Sequence, residues 1–192
     1  MSEALSRRKA AGDAHSRQAA GARAVERAAT PGRAKRVRAI EYDPKTGVDA
    51  YVKAVVAATP LERVEIERRG VPGAFIKDFS KALGVPAIRV FKILGVPKAT
   101  AEKKAAGGQL VKGSGGQAAV GMIRLLGIAE ELVANSTAEG ARGFDTTKWL
   151  GTWIERPQPA LGGRKPSELL DTPTGLDVVA RLLGSLESSA YQ

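Results

Sequence analysis

From residue 48 onward, hydrophobic positions recur at helical spacing, mostly in short bursts. Tyr51, Val52, Val55 and Val56 form one stripe, Phe75, Ile76, Phe79 and Leu83 a second, and Ile88, Val90, Phe91 and Leu94 a third. Apolar residues three and four apart line one face of a helix, so each burst predicts a short amphipathic helix. Val120, Ile123, Leu126, Leu132 and Val133 predict a longer one over about 117–134, and Leu176, Val179, Leu182, Leu183 and Leu186 predict a last one. Helices as short as the first three are unstable alone and must pack on one another.

The residues between the stripes act as punctuation. Thr59-Pro60 reads as a stop and a new start, with Pro60 in the first turn of a segment that carries Val64 and the acids Glu62, Glu65 and Glu67. Gly-Val-Pro occurs at 70–72, 84–86 and 95–97. Each glycine predicts a left-handed helix end and each proline a first turn of the next helix. Lys98–Ala106 is a further short helix. The glycines at 107, 108, 113, 115 and 116 predict a loop, and 135–143 a polar linker. Beyond it, Thr146 or Thr147 is expected to cap a helix carrying both tryptophans, at least one of them in the core. Pro157 and Pro159 predict an extended connection, Gly162-Gly163 a turn, Pro166 a short helix ending near Leu170, and Thr172-Pro173 the cap and start of the last helix.

Composition agrees with an all-α protein. Apolar residues make up 43% of the chain but aromatics only 5%, fewer than strands of a β-sandwich would want. With no cysteine, disulfides, thiolate chemistry and cysteine-held zinc are excluded. The single histidine is His15. No apolar run approaches the roughly 18 residues of a membrane span and no signal-peptide core is visible, so a soluble, cytoplasmic protein without membrane contact is expected.

Charge is unevenly placed. Residues 1–40 hold ten Lys/Arg against three acids, a net of +7 out of +10 for the chain. This Ala/Arg/Gly/Ser-rich stretch has too little apolar surface to offset its ordering entropy and is predicted to be a disordered basic arm. Three readings of it stay open: a start-site extension or solubilising tail, a contact arm for the DNA backbone, and a helix formed on binding.

Ala87–Leu94, Gly95-Val96-Pro97 and Lys98–Ala106 have the dimensions of a helix-turn-helix. Lys98, Thr100, Lys103 and Lys104 would project from its second helix, flanked by Arg89 and Lys92. Lysines suit phosphates better than base edges, and a lysine-bearing helix face is also what simple solvation produces. The glycine-rich stretch lacks phosphate-loop spacing, and no strand is predicted before it. No catalytic constellation is present: there is no histidine or cysteine for a triad. Glu130 and Glu131 are adjacent and point about 100° apart on a helix, as on a solvent face. Neither a metal site nor a cofactor is expected.

The most specific residues lie near the end. Trp149-Leu150-Gly151-Thr152-Trp153-Ile154 is followed by Pro157-Gln158-Pro159-Ala160-Leu161-Gly162-Gly163-Arg164-Lys165-Pro166-Ser167-Glu168-Leu169-Leu170-Asp171-Thr172 and, further on, Leu183-Gly184 and Tyr191. This run resembles the toxin-binding domain of the Xre/MbcA/ParS antitoxin family. The stretch 65–135 resembles, through weaker motifs, the Xre-like helix-turn-helix that precedes it in such antitoxins, and the first 64 residues have no counterpart. Composition and the resemblance together divide the chain into a basic arm at 1–40, a helix-turn-helix domain expected at 41–135 and a toxin-binding domain expected at 143–192. The resemblance implies a non-enzymatic antitoxin whose partner is a RES-domain toxin that degrades NAD or transfers its ADP-ribose, and whose C-terminal region sits at the toxin's NAD site. It also implies repression of the antitoxin's own operon and assembly as a homodimer or larger toxin–antitoxin complex. On this reading Leu183, Leu186 and Tyr191 enter the toxin, Ser189 lies in the inserted tail, and Arg164, Lys165 and Arg181 pair with polar groups around the pocket. Family members commonly end in Gly-Val-Tyr and a small residue; here Ser188-Ser189-Ala190-Tyr191-Gln192 keeps the tyrosine and loses the glycine. The rival reading is a transcriptional regulator acting mainly through DNA.

Overall fold

The computed structural model describes residues 40–106, 108–137 and 139–189, and side-chain surroundings for all of these but 105, 139 and 187–189. The basic arm predicted for 1–40 thus lies almost wholly outside the described residues, as does Tyr191.

The order of elements is α1 (Gly47–Val56), α2 (Pro60–Arg69), β1 (Val71–Pro72), α3 (Gly73–Leu83), α4 (Ala87–Ile93), α5 (Lys98–Ala106), β2 (Leu110–Val111), α6 (Gly113–Asn135), α7 (Thr146–Ile154) and α8 (Pro173–Ser189), with short 3-10 turns after α6 and between α7 and α8. Among the described residues the fold is all-α but for one two-residue antiparallel pair, Val71 opposite Val111 and Pro72 opposite Leu110.

Helix α6 is central. Ala118, Ala119, Val120, Met122, Ile123, Leu125, Leu126 and Ala129 are all buried, more than one face of a helix holds, because α1, α2, α7 and α8 surround it. Phe75, Ile76, Phe79 and Leu83 of α3, Val90 and Phe91 of α4, and Leu150, Trp153 and Ile154 of α7 join the same core, as do Val179 and Leu183 of α8. Elements on both sides of the predicted linker therefore share one apolar interior.

Local chemistry sets most helix ends. Thr59 caps α2 by a reciprocal box: its Oγ1 accepts from Glu62 N at 3.3 Å, and its own N–H donates to the Glu62 carboxylate at 2.8 Å. Thr172 caps α8, accepting from Gly175 N at 3.1 Å. Gly84 (φ 68°) and Gly95 (φ 70°) take the predicted left-handed conformation.

Other expectations need correction. Gly70 ends α2 outside the left-handed helical region (φ 98°, ψ 168°), because it passes beside the β2 backbone. A Cβ there would lie 2.6 Å from the Val111 carbonyl oxygen, and one on Gly116 would do the same. Gly113, Gly115 and Gly116 are not loop but the first turn of α6; the smallness of Gly115 and Gly116 lets that turn press on Val111 of β2, the strand that the sequence did not reveal. Pro72 and Pro86 cap α3 and α4 from outside the helix instead of sitting in the first turn. The cap of α7 is Asp145, not Thr146 or Thr147: its carboxylate accepts from Lys148 N at 2.9 Å. Val56 and Ile88, expected in stripes, are exposed. Glu130 is half-buried while Glu131 is exposed, and burial raises the pKa of Glu130 despite nearby Lys53.

Candidate functional site

Residues 155–172 link α7 to α8 and carry the motif singled out above. Gln158, extended as a residue before proline should be (φ −114°, ψ 125°), opens a tight turn. Its carbonyl accepts from Leu161 N and Gly163 N, both at 3.0 Å, and its N–H donates to the Arg164 carbonyl at 2.9 Å. Gly162 (φ 64°) and Gly163 (φ 81°) supply the reversal. The extended connection expected at 157–159 is short, since Pro159–Leu161 is already a 3-10 turn. Arg164 thus stands exposed on a loop whose backbone is fixed by hydrogen bonds.

A charged clasp ties this region to α4. Arg89 meets Glu155 through two bonds, Nε to Oε1 at 2.7 Å and Nη2 to Oε2 at 3.0 Å, and donates also to Ser167 Oγ at 3.3 Å. Lys165 Nζ lies 3.7 Å from Glu155 Oε2. The hydrogen bond from Arg89 holds the Glu155 carboxyl below the usual range, outweighing burial, with the charges of Arg89 and Lys165 assisting. Planar fork-to-carboxylate pairing of this kind fixes orientation as well as distance. Glu155 and Ser167 carried no separate signal in the sequence, since only the packing of α7 beside α3 and α4 brings them to Arg89.

The expected partner-facing cations therefore divide. Arg164 and Arg181 are exposed, the latter with Nε donating to its own helix at Asp177 O (3.2 Å). Lys165 is half-buried and drawn toward Glu155. Leu183 is a correction: it is fully buried in this chain's own core, so its side chain serves the fold. Leu186 is half-buried against that core. Ser189 ends α8, but its side chain, like Tyr191, lies outside the described residues.

On the α4–α5 face, Lys92, Lys98, Thr100 and Lys103 are exposed. Arg89 is a second correction, because its guanidinium is held by Glu155 and Ser167 and is not presented for phosphate. Lys104 is half-buried, with Nζ donating to the Leu110 carbonyl. The two helices are joined through Leu94, Gly95, Val96 and Pro97, with Val96 N donating to Phe91 O at 2.9 Å, so two short helices and the turn between them form where expected.

A third surface had no counterpart in the sequence reading. Trp153 is buried as expected, but Trp149 is half-buried and stacks on it with ring centres 6.0 Å apart. Phe144, just ahead of α7, leans on Trp149 at 6.2 Å and is exposed. Among the described residues, no group of three or more His, Cys, Asp or Glu could hold a metal ion, and no helix is long and apolar enough to cross a membrane.

Residues 140–188 match the family model described as the antitoxin Xre/MbcA/ParS C-terminal toxin-binding domain. The chain is also similar to the Prs ADP-ribosylating antitoxin of Sphingobium sp. (strain YBL2), 37% identical over 139 residues that cover 72% of this chain and 86% of that protein. No solved structure matches it.

Proposed function

The chain belongs to the Xre/MbcA/ParS antitoxin family, and we propose that it silences a RES-domain toxin by holding its C-terminal region at the toxin's NAD site. The observation that carries this reading is the braced turn at 158–165: Arg164 is exposed on it, while the clasp of Arg89 and Glu155 fixes its base. A preorganised loop avoids much of the ordering cost of binding. The Sphingobium relative's name couples it to ADP-ribosylation and to Prs, so transfer of ADP-ribose, more than breakdown of NAD, is the chemistry assigned to this chain's partner. The chain itself acts by occupancy and not by catalysis. It has no cysteine, and its one histidine is His15 in the basic arm.

Deleting residues 184–192 is expected to release toxin activity, read as NAD consumption or as ADP-ribose incorporated into Prs. A truncated chain that still inhibits fully would place the block elsewhere.

Repression of its own operon is the second reading, supported by the exposed Lys92, Lys98, Thr100 and Lys103 on the α4–α5 face. Two copies of the chain would place two such faces on a pseudo-palindromic operator. A mobility shift that weakens as salt rises, and more steeply for wild type than for Lys98→Ala/Lys103→Ala, is the expected result.

A further inference from the structure

Five large apolar side chains are exposed among the described residues: Val56, Leu61, Val64, Ile88 and Phe144. Only Phe144 falls within 140–188, the stretch matched by the toxin-binding family model. It is 42% exposed, whereas Trp153 is 7% exposed, and Trp149 lies between them in both position and burial. The three rings descend from the surface into the core beside an open groove of about 330 Å³. One carboxylate, Asp145, and two cations, Lys148 and Arg156, line the same groove, and the cations outnumber it. Both cations are exposed, and neither has an ion-pair partner among the described residues.

We propose that this aromatic step is an anchoring site for the toxin: an apolar side chain of the toxin fills the groove beside Phe144 and Trp149, and toxin carboxylates pair with Lys148 and Arg156. The proposal rests on the antitoxin reading above and adds an anchor separate from the C-terminal tail. Aromatic rings with one face anchored in a rigid core lose little freedom on binding, and energy at interfaces concentrates on such residues and on arginine. The groove carries two cations against the single Asp145 carboxylate, a net positive charge that a partner presenting carboxylates complements and that a second copy of this chain, with the same net charge on the same patch, does not. The exposed apolar residues of α1, α2 and α4 lie outside the matched stretch.

The test uses the full chain labelled with 5-fluorotryptophan and titrated with the unlabelled cognate RES-domain toxin. The chain has two tryptophans, so fluorine NMR gives two resonances, assigned with Trp149→Phe. The Trp149 resonance is expected to move on toxin binding more than that of Trp153. Phe144→Ala is expected to weaken binding by about tenfold or more with only a small fall in the denaturation midpoint, because the side chain is already 42% exposed. Lys148→Glu with Arg156→Glu should slow association, and more so at low salt. If the wild-type chain binds the toxin while both resonances stay fixed and Phe144→Ala binds within twofold, the proposal is overturned and the antitoxin reading stands. Loss of self-association in Phe144→Ala with unchanged toxin binding assigns the groove to a second copy and also overturns it. Failure of the wild-type chain to bind the toxin overturns both readings.

Discussion

Helices α5 and α7 are each nine residues long, and the fold uses them in opposite ways. Among its described side chains helix α5 buries Ala101 and little else, holds Lys104 by one bond to the Leu110 carbonyl, and leaves Lys98, Thr100 and Lys103 in solvent. Helix α7 is capped by Asp145, buries Leu150, Gly151, Trp153 and Ile154, and presents Trp149 from a face backed by core. A lightly held helix can change its surface charges freely, at no cost to the fold. A helix whose outer side chains rest on buried ones cannot, so recognition by α7 and stability of the fold are mechanically joined.

The change that breaks this contrast most severely is Gly151→Ala. A Cβ there would strike the Leu83 carbonyl group of α3, and neither helix can retreat without opening the core. We expect a loss of about 3 kcal/mol or more, read as a drop in the urea midpoint. An unchanged midpoint would mean that α7 is not seated on α3. Next comes the clasp. Arg89→Met or Glu155→Gln should each cost about 1–2 kcal/mol, between the values for exposed and fully buried pairs, with the double variant costing clearly less than the sum. Because the folded state lowers the Glu155 pKa, its contribution is complete above the ordinary glutamate range. It fades as pH falls through the lowered value. Glu155→Gln should therefore flatten the acid limb of the stability curve, and an identical limb would show that the pair does not form in solution. The smallest stability effect belongs to α5. Lys98→Ala with Lys103→Ala should leave stability within about 0.5 kcal/mol. The same pair should reduce the log–log salt slope of DNA binding by about 0.9 for each DNA phosphate no longer neutralised. A large drop in stability would show that α5 is more firmly packed than its burial suggests.

Much of the helical order was legible because it rests on interactions between residues close in sequence. Thr59 with Glu62, Thr172 with Gly175, and the left-handed Gly84 and Gly95 are all settled within four or five residues. So was the turn at Gly162-Gly163, and with it the exposed setting of Arg164. What escaped the sequence depends on distant partners. Gly115 and Gly116 look like loop residues until Val111 is placed against them. Ile88 and Val56 follow a helical stripe yet face outward, since the stripe says which residues share a face and not how wide the neighbouring helix is.

The candidate site divides along the same line. Its basic residues could be named from the motif, but their availability could not. Arg89 and Lys98 lie nine positions apart in one helix-turn-helix unit, and only the return of Glu155 and Ser167 from far along the chain distinguishes them. Leu183 was expected in the toxin from the family resemblance, and its covering by this chain's own core was not visible in the sequence.

By itself, then, the sequence determined the helical class, most helix ends, the turn that carries Arg164 and the family to which the chain belongs. These follow from backbone preferences and from a motif that is contiguous. Only the tertiary structure decided which cations are free, which leucines are core and that Phe144 and Trp149 form an open step. Burial and ion pairing are properties of the space between elements, and that space does not exist until α3, α6, α7 and α8 have packed.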